Sequence, residues 1–138
     1  MDKTYARDIM STDVITLREG DTLEEALKAL INHRITGVLI VDDRSRVLGV
    51  CSEYDLIRQI SKCAQSRKLC SQMFRQKIEY SKNPDTVRDD TTLDELTRRF
   101  VDAKFRRVPV LDKHGKLAGI ITRRDLMRLF YYRAKLSG

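Results

Sequence analysis

Gly119-Ile120-Ile121-Thr122-Arg123-Arg124-Asp125 repeats the design of Gly49-Val50-Cys51-Ser52-Glu53-Tyr54-Asp55, seventy residues earlier in the chain. Each is an apolar run that ends on a hydroxyl residue, with a carboxylate three residues further on. That is the pattern of a buried strand passing directly into a capped helix. The match extends outward without a gap. Thr16–Arg58 aligns with Thr86–Arg128, and eleven of the 43 pairs are identical, among them Thr16/Thr86, Thr22/Thr92, Leu23/Leu93, Val38/Val108, Gly49/Gly119 and Asp55/Asp125. Self-similarity at a fixed period is the strongest architectural signal a single sequence can carry.

Each copy predicts the same elements. Thr16 and Thr86 start a short extended segment. Thr22 and Thr92 are hydroxyl caps followed by acidic first turns and apolar residues at helical spacing: Leu23, Ala26, Leu27, Leu30 and Ile31 in the first copy, and Leu93, Leu96, Phe100 and Val101 in the second. A buried strand follows (Gly37–Val41, then Val108–Leu111), then a polar turn, a second strand and a closing helix. One copy of about 55 residues buries little core alone. Two copies facing each other, each a small sheet packed with two helices, give an α/β (α+β) fold with pseudo-twofold symmetry. The boundaries drawn from the sequence are 1–62 for the first repeat, 63–82 for a connector and 83–138 for the second. Within the connector, Gln72–Tyr80 has the scattered apolar residues of a short helix, and Gln72-Met73 is the nearest echo of the Asp8-Ile9-Met10 start.

Composition narrows the class. No apolar run approaches the roughly 20 residues of a membrane span, and no apolar stretch follows the N-terminal charges, so the expected location is the cytoplasm. Cys51, Cys63 and Cys70 lack a disulfide or zinc spacing and read as idle thiols, with a Cys63/Cys70 redox pair as the alternative. His33 and His114 are isolated. No metal site and no catalytic residue are expected, since no nucleophile elbow, P-loop or metalloprotease motif occurs. The net charge is +7, and residues 71–138 carry sixteen Lys/Arg against nine Asp/Glu, while residues 1–70 carry eleven of each. That asymmetry leaves a nucleic-acid surface as an alternative to a small-molecule site.

The two Gly-x-x-Ser/Thr-x-x-Asp clusters have two readings. A capping box accounts for them without any ligand. Alternatively, free N–H groups and a hydroxyl at a helix start suit an anion, and the carboxylate one turn in suits a sugar diol.

The whole repeat resembles the CBS domain, and the chain looks like a tandem CBS pair, or Bateman module. The residues carrying the match are Asp8-Ile9-Met10-Ser11, Thr16 and Thr86, Phe105-Arg106-Arg107-Val108-Pro109-Val110, and Gly119–Leu126 with its first-copy counterpart. The resemblance implies a regulatory module, not an enzyme, that requires no cofactor and binds AMP, ADP or ATP, with S-adenosylmethionine or NAD as further ligand types. It places Asp125 and Asp55 on ribose hydroxyls, Thr122 and Ser52 near ribose or phosphate, and Thr86 and Thr16 beside the adenine. Val108 and Pro109 form an apolar wall beside the base, as do Val38 and Leu39. It also implies a homodimer acting on a separate partner protein. A ligand-free interaction module is the other alternative.

The copies depart from each other. Gly37-Val38-Leu39 lacks the basic residue and the proline of the second copy, and Glu53 would repel a phosphate. The second copy offers Arg106, Arg107, Arg123 and Arg124, of which Arg107 and Arg124 are counted in its site. The second copy is therefore the expected nucleotide site, with the first weaker or empty.

Overall fold

The computed structural model describes residues 3–66 and 70–137. In chain order the elements are α1 (Ala6–Ile9), β1 (Thr16–Arg18), α2 (Leu23–His33), β2 (Gly37–Val41), β3 (Val47–Ser52), α3 (Glu53–Gln65), α4 (Cys70–Phe74), β4 (Ser81–Lys82), β5 (Val87–Arg88), α5 (Leu93–Ala103), β6 (Arg107–Leu111), β7 (Leu117–Thr122) and α6 (Arg123–Ser137). They form two small sheets, β1-β2-β3-β4 and β5-β6-β7, each with its own helices.

The repeat is preserved in local chemistry. Thr22 and Thr92 accept from the N–H groups of Glu25 and Glu95 at 3.2 and 3.3 Å, capping α2 and α5. Both helices stop on a residue in the left-handed region, Arg34 at φ 53° and Lys104 at φ 54°. Asp42 and Asp112 fasten the strand turns through Oδ1, which accepts from the N–H groups of Arg44 and Arg46, or of His114 and Lys116. These backbone donors, Arg46 and Lys116 foremost, hold both carboxyls below the usual range. In each sheet the first strand runs parallel to the second, Thr16 opposite Leu39 and Val87 opposite Val110. The second ladder starts one residue later because Pro109, in the place of Leu39, has no N–H to contribute.

The compact units divide the chain differently from the sequence repeats. One unit is residues 15–84, and the other joins residues 1–14 to residues 85–138. The lead-in of the first repeat thus packs with the second. The Ala6 N–H donates to the Thr91 carbonyl at 2.8 Å, and Ser11 pairs with Ile120. Ala6 is fully buried among Val87, Leu96, Phe105, Val108 and Ile121. Residues 77–82 do the same for the other unit: Lys77 bridges to Thr22, and Ser81 pairs with Val50. The counterpart of Asp8–Ser11 is therefore Ile78–Ser81 and not Gln72-Met73. Gln72 and Met73 lie in α4, where Met73 joins the core of Leu23, Leu30, Val38, Ile40 and Leu56. Between its two bridges the N-terminal lead-in is two residues longer than its counterpart, and the excess forms the single helical turn α1.

Gly49 and Gly119 make room for these lead-ins. A Cβ on Gly49 would stand 2.3 Å from the Ser81 carbonyl oxygen, and one on Gly119 would stand 2.6 Å from the Met10 sulfur and 2.7 Å from the Ser11 carbonyl oxygen. The 77–82 segment is further held by Gln59 of α3, itself buried. Its amide nitrogen donates to the Lys77 carbonyl at 2.8 Å, and its amide oxygen accepts from the Glu79 N–H at 3.0 Å.

Candidate functional site

In the unit that contains the second repeat, β7 ends at Thr122 and α6 begins at Arg123. The Thr122 N–H donates to Oδ2 of Asp125 at 2.8 Å, and the Asp125 N–H donates to Oγ1 of Thr122 at 3.3 Å. This is the capping box foreseen in the sequence. It uses only one carboxylate oxygen. Oδ1 of Asp125 has no partner among the described residues, and Asp125 lines a cavity of about 400 Å³ with Ile9, Arg128, Leu129, Tyr132 and Arg133.

The sheet gathers the remaining second-copy candidates in part. Arg107, half-buried, stands opposite Thr122 in the β6–β7 ladder. Thr86 leads into β5 beside Pro109, and its carbonyl accepts from Arg99 at 3.1 Å. Pro109 is buried on the face opposite Val108, by strand alternation. Val108 itself is fully buried in the hydrophobic core with Val110 and Ile121, so its side chain packs the unit from inside. Arg124 is exposed and has no partner among the described residues. Arg123 has a different task from the one its charge suggested: its guanidinium donates to the carbonyls of Phe105 and Lys104, tying the start of α6 to the end of α5. Sequence reasoning passed over Arg128 and Tyr132, although positions three and seven residues past Asp125 share its stripe on a helix.

The other unit carries the same cluster in a closed form. Oδ2 of Asp55 accepts both the N–H and the hydroxyl of Ser52, at 2.9 and 3.0 Å. Oδ1 lies 3.7 Å from Arg58, and Asp55 is only 5% exposed. Gly37 stands opposite Ser52, Thr16 stands opposite Leu39, and Val38 is buried in the core. The stripe that offers Leu129, Tyr132 and Arg133 in one unit offers Gln59, Lys62 and Cys63 here, and those groups satisfy one another locally. Gln59 clamps residues 77 and 79, Lys62 pairs with Glu79 at 2.8 Å, and the Cys63 thiol donates to Gln76 at 2.9 Å. Burial pushes the Cys51 thiol up to about 12, with Asp55 adding to the effect. The Cys63/Cys70 pairing falls outside what is described, because the Cys70 side chain is not among the described groups.

Charge also reads differently once the units are drawn. Residues 1–14 with 85–138 hold fifteen Lys/Arg and eleven Asp/Glu, and residues 15–84 hold twelve and nine. The excess of +7 is therefore shared as +4 and +3, and the basic half seen along the sequence is spread over both units. No helix among the described residues is long and apolar enough to cross a membrane.

Two clusters of this geometry on two small sheets define a class. The CBS-domain family model matches residues 6–62 and 77–132, and the chain belongs to that family, with two tandem copies. Among curated proteins it is 30% identical over 134 residues to the chloroplastic CBS domain-containing protein CBSX2 of Arabidopsis thaliana, covering 81% of this chain and 56% of that protein. Among solved structures it is similar to CBSX2 in complex with AMP, with a TM-score of 0.78 and 30% identity, covering 94% of this chain and 98% of that one. It is also similar to the CBS domain pair of MJ0100 in complex with 5′-methylthioadenosine and S-adenosyl-L-methionine (TM-score 0.73, 27% identity, 96% and 99% covered). A third is the cytosolic domain of the Mg²⁺ channel MgtE in complex with ATP (TM-score 0.73, 28% identity, 93% and 49% covered).

Proposed function

We propose that this chain is a regulatory module that binds an adenosine-containing ligand at its second repeat, with AMP, ADP or ATP favoured. The observation that carries the reading is the half-used carboxylate of Asp125: one oxygen caps α6, the other has no partner among the described residues, and the residue lines a cavity. The ligands of the similar structures, namely AMP, ATP, 5′-methylthioadenosine and S-adenosyl-L-methionine, differ in their tails. Their common part is adenosine, whose two ribose hydroxyls are donors suited to a carboxylate oxygen. Arg107 and Arg124 add positive charge for a phosphate, which favours the nucleotides over the sulfonium ligand. By the family resemblance Thr86 and Pro109 would stand beside the base, although Pro109 is buried and neither lines the cavity at Asp125. At Asp55 the Arg58 guanidinium stands beside the second oxygen and competes with a diol for it, so one ligand per chain is expected.

The module regulates and does not catalyse. The polar groups of both clusters serve capping, and His33 and His114 sit at a helix end and in a turn. Its output is a change in affinity for a separate partner protein, coupled to ligand binding, and the chain self-associates. The even division of charge between the units argues against a nucleic-acid surface.

Thermal unfolding followed while titrating AMP, ADP, ATP, S-adenosylmethionine and NADH tests this, because a ligand bound only by the folded state raises the melting temperature. A rise is expected with the adenine nucleotides, lost in Asp125→Asn and kept in Asp55→Asn. No rise with any of them would overturn the ligand reading, and a rise unchanged in Asp125→Asn would overturn the site.

A further inference from the structure

The cavity at Asp125 is walled differently from what the family resemblance implies. Thr86, Val108 and Pro109, which the resemblance places beside the base, do not line it. Ile9, Leu129, Tyr132 and Leu136 do, together with Arg128 and Arg133. Asp125, Leu129, Tyr132 and Leu136 follow one another at spacings of four, three and four, so they share one stripe of α6. Arg128 falls on one side of that stripe and Arg133 on the other, where it donates to the Thr4 hydroxyl.

Tyr132 is the flat group on this wall. Side chains of a helix lean toward its N-terminus, so the ring covers the turn that separates it from Asp125. Seven residues rise about 10 Å along a helix, and the lean shortens that separation to the reach of one nucleoside, from ribose diol to base. Tyr132 is 60% exposed. Its T-shaped contact with Tyr131, centroids 5.1 Å apart and planes at 79°, engages at most one face of the ring and leaves the other for a planar group. In the first copy the same place is taken by Lys62, which pairs with Glu79 at 2.8 Å. The open carboxylate and the ring thus occur together on one stripe of one helix. Both are missing in the copy where Arg58 stands beside the carboxylate.

We infer that Tyr132 carries the base of the ligand by stacking, in place of the wall of Val108 and Pro109. The inference rests on the ligand site proposed at Asp125 and goes beyond it by naming the group that holds the base. A ring face is indifferent to the donors and acceptors on a base edge, so this wall selects for a base as such over a bare sugar phosphate.

AMP and ribose 5-phosphate, which keeps the diol and the phosphate without the base, separate the ring from the carboxylate. Affinities are measured by isothermal titration, with circular dichroism to check that each variant is folded. The wild type is expected to bind AMP more tightly than ribose 5-phosphate. Tyr132→Ala should weaken AMP about five- to a hundredfold, the usual range for a lost base–ring stack, and leave ribose 5-phosphate unchanged. Tyr132→Phe should keep the wild-type affinity for AMP, since the ring face is retained. AMP affinity unchanged in Tyr132→Ala but lost in Asp125→Asn would overturn this inference and leave the site standing. So would equal weakening of both ligands in Tyr132→Ala, which marks a general loss of the cavity wall. Loss of AMP binding in Tyr132→Phe would move the role to the hydroxyl and overturn the stack as well. A wild type that binds no AMP would sink the site itself.

Discussion

Arg58 stands 3.7 Å from Oδ1 of Asp55, one turn along the same helix, and so sets a positive charge beside the oxygen that its equivalent in the second copy leaves open. Asp125 and Arg128 have the same spacing but form no ion pair within 4 Å among the described residues. One motif thus serves as a closed structural cap in one unit and as an open group in the other. Asp125→Asn should abolish nucleotide-induced stabilisation and cost little stability in the free protein, since an Asn oxygen still caps α6. Asp55→Asn should do the reverse, costing about 1–3 kcal/mol through a weakened buried network and leaving ligand affinity unchanged. Isothermal titration together with urea unfolding separates the two.

Gly49 and Gly119 are required by the neighbouring backbone and not by a turn. Gly49→Ala should destabilise by about 1–3 kcal/mol, the usual cost of overpacking, because its nearest obstacle is the Ser81 carbonyl. Gly119→Ala should cost less once Met10 is also replaced by Ala, since the Met10 side chain is the first atom group in the way. Denaturant midpoints for the two single variants and the Gly119/Met10 double variant check the order.

Gln59 is the polar clamp on residues 77–79. Gln59→Ala removes both hydrogen bonds and leaves the Lys77 carbonyl and the Glu79 N–H without them, at a cost of about 1–3 kcal/mol. Amide exchange at Glu79 should accelerate while exchange in β6 and β7 stays at the wild-type rate. Unchanged protection at Glu79 would show that the Ser81–Val50 pairing holds the segment without Gln59.

The Cys51 thiol, at about 12 in the folded chain against an ordinary 9.0, gives a signature at alkaline pH. Because the folded value is the higher one, the unfolded chain releases this proton first. The stabilisation is therefore complete below pH 9 and is lost as pH rises from about 9 toward 12. Cys51→Val should flatten that part of the stability profile. At pH 8 the native thiol should resist iodoacetamide while the urea-unfolded protein reacts.

Much of this arrangement could be read from residues alone because the deciding interactions are local. A hydroxyl before an acidic first turn caps a helix wherever it occurs, and the 70-residue offset located β1–β3 with β5–β7, their helices and the Asp42 and Asp112 turns in pairs. What could not be read depends on partners distant in sequence. The pairing of Ser11 with Ile120, and of Ser81 with Val50, decides which unit each lead-in joins. The motif glycines give clearance to those lead-in segments. Asp55 and Asp125 have identical local sequence patterns, and their difference lies in where Arg58 and Arg128 direct their guanidinium groups. The basic second half was an effect of dividing the chain at residue 70 when the folded units divide it at residues 14 and 84.

That division also sets an order of assembly. Residues 15–84 are continuous, so every contact of their unit is available as soon as they leave the ribosome. The other unit is split, and Ala6 has no core to enter until residues 85–126 exist. Closing it means bringing together chain ends separated by a 70-residue insertion, and that loop costs least when it has already collapsed into a compact unit. The inner unit therefore forms first and shortens the search for the outer one, leaving the N-terminal fourteen residues exposed longest during synthesis.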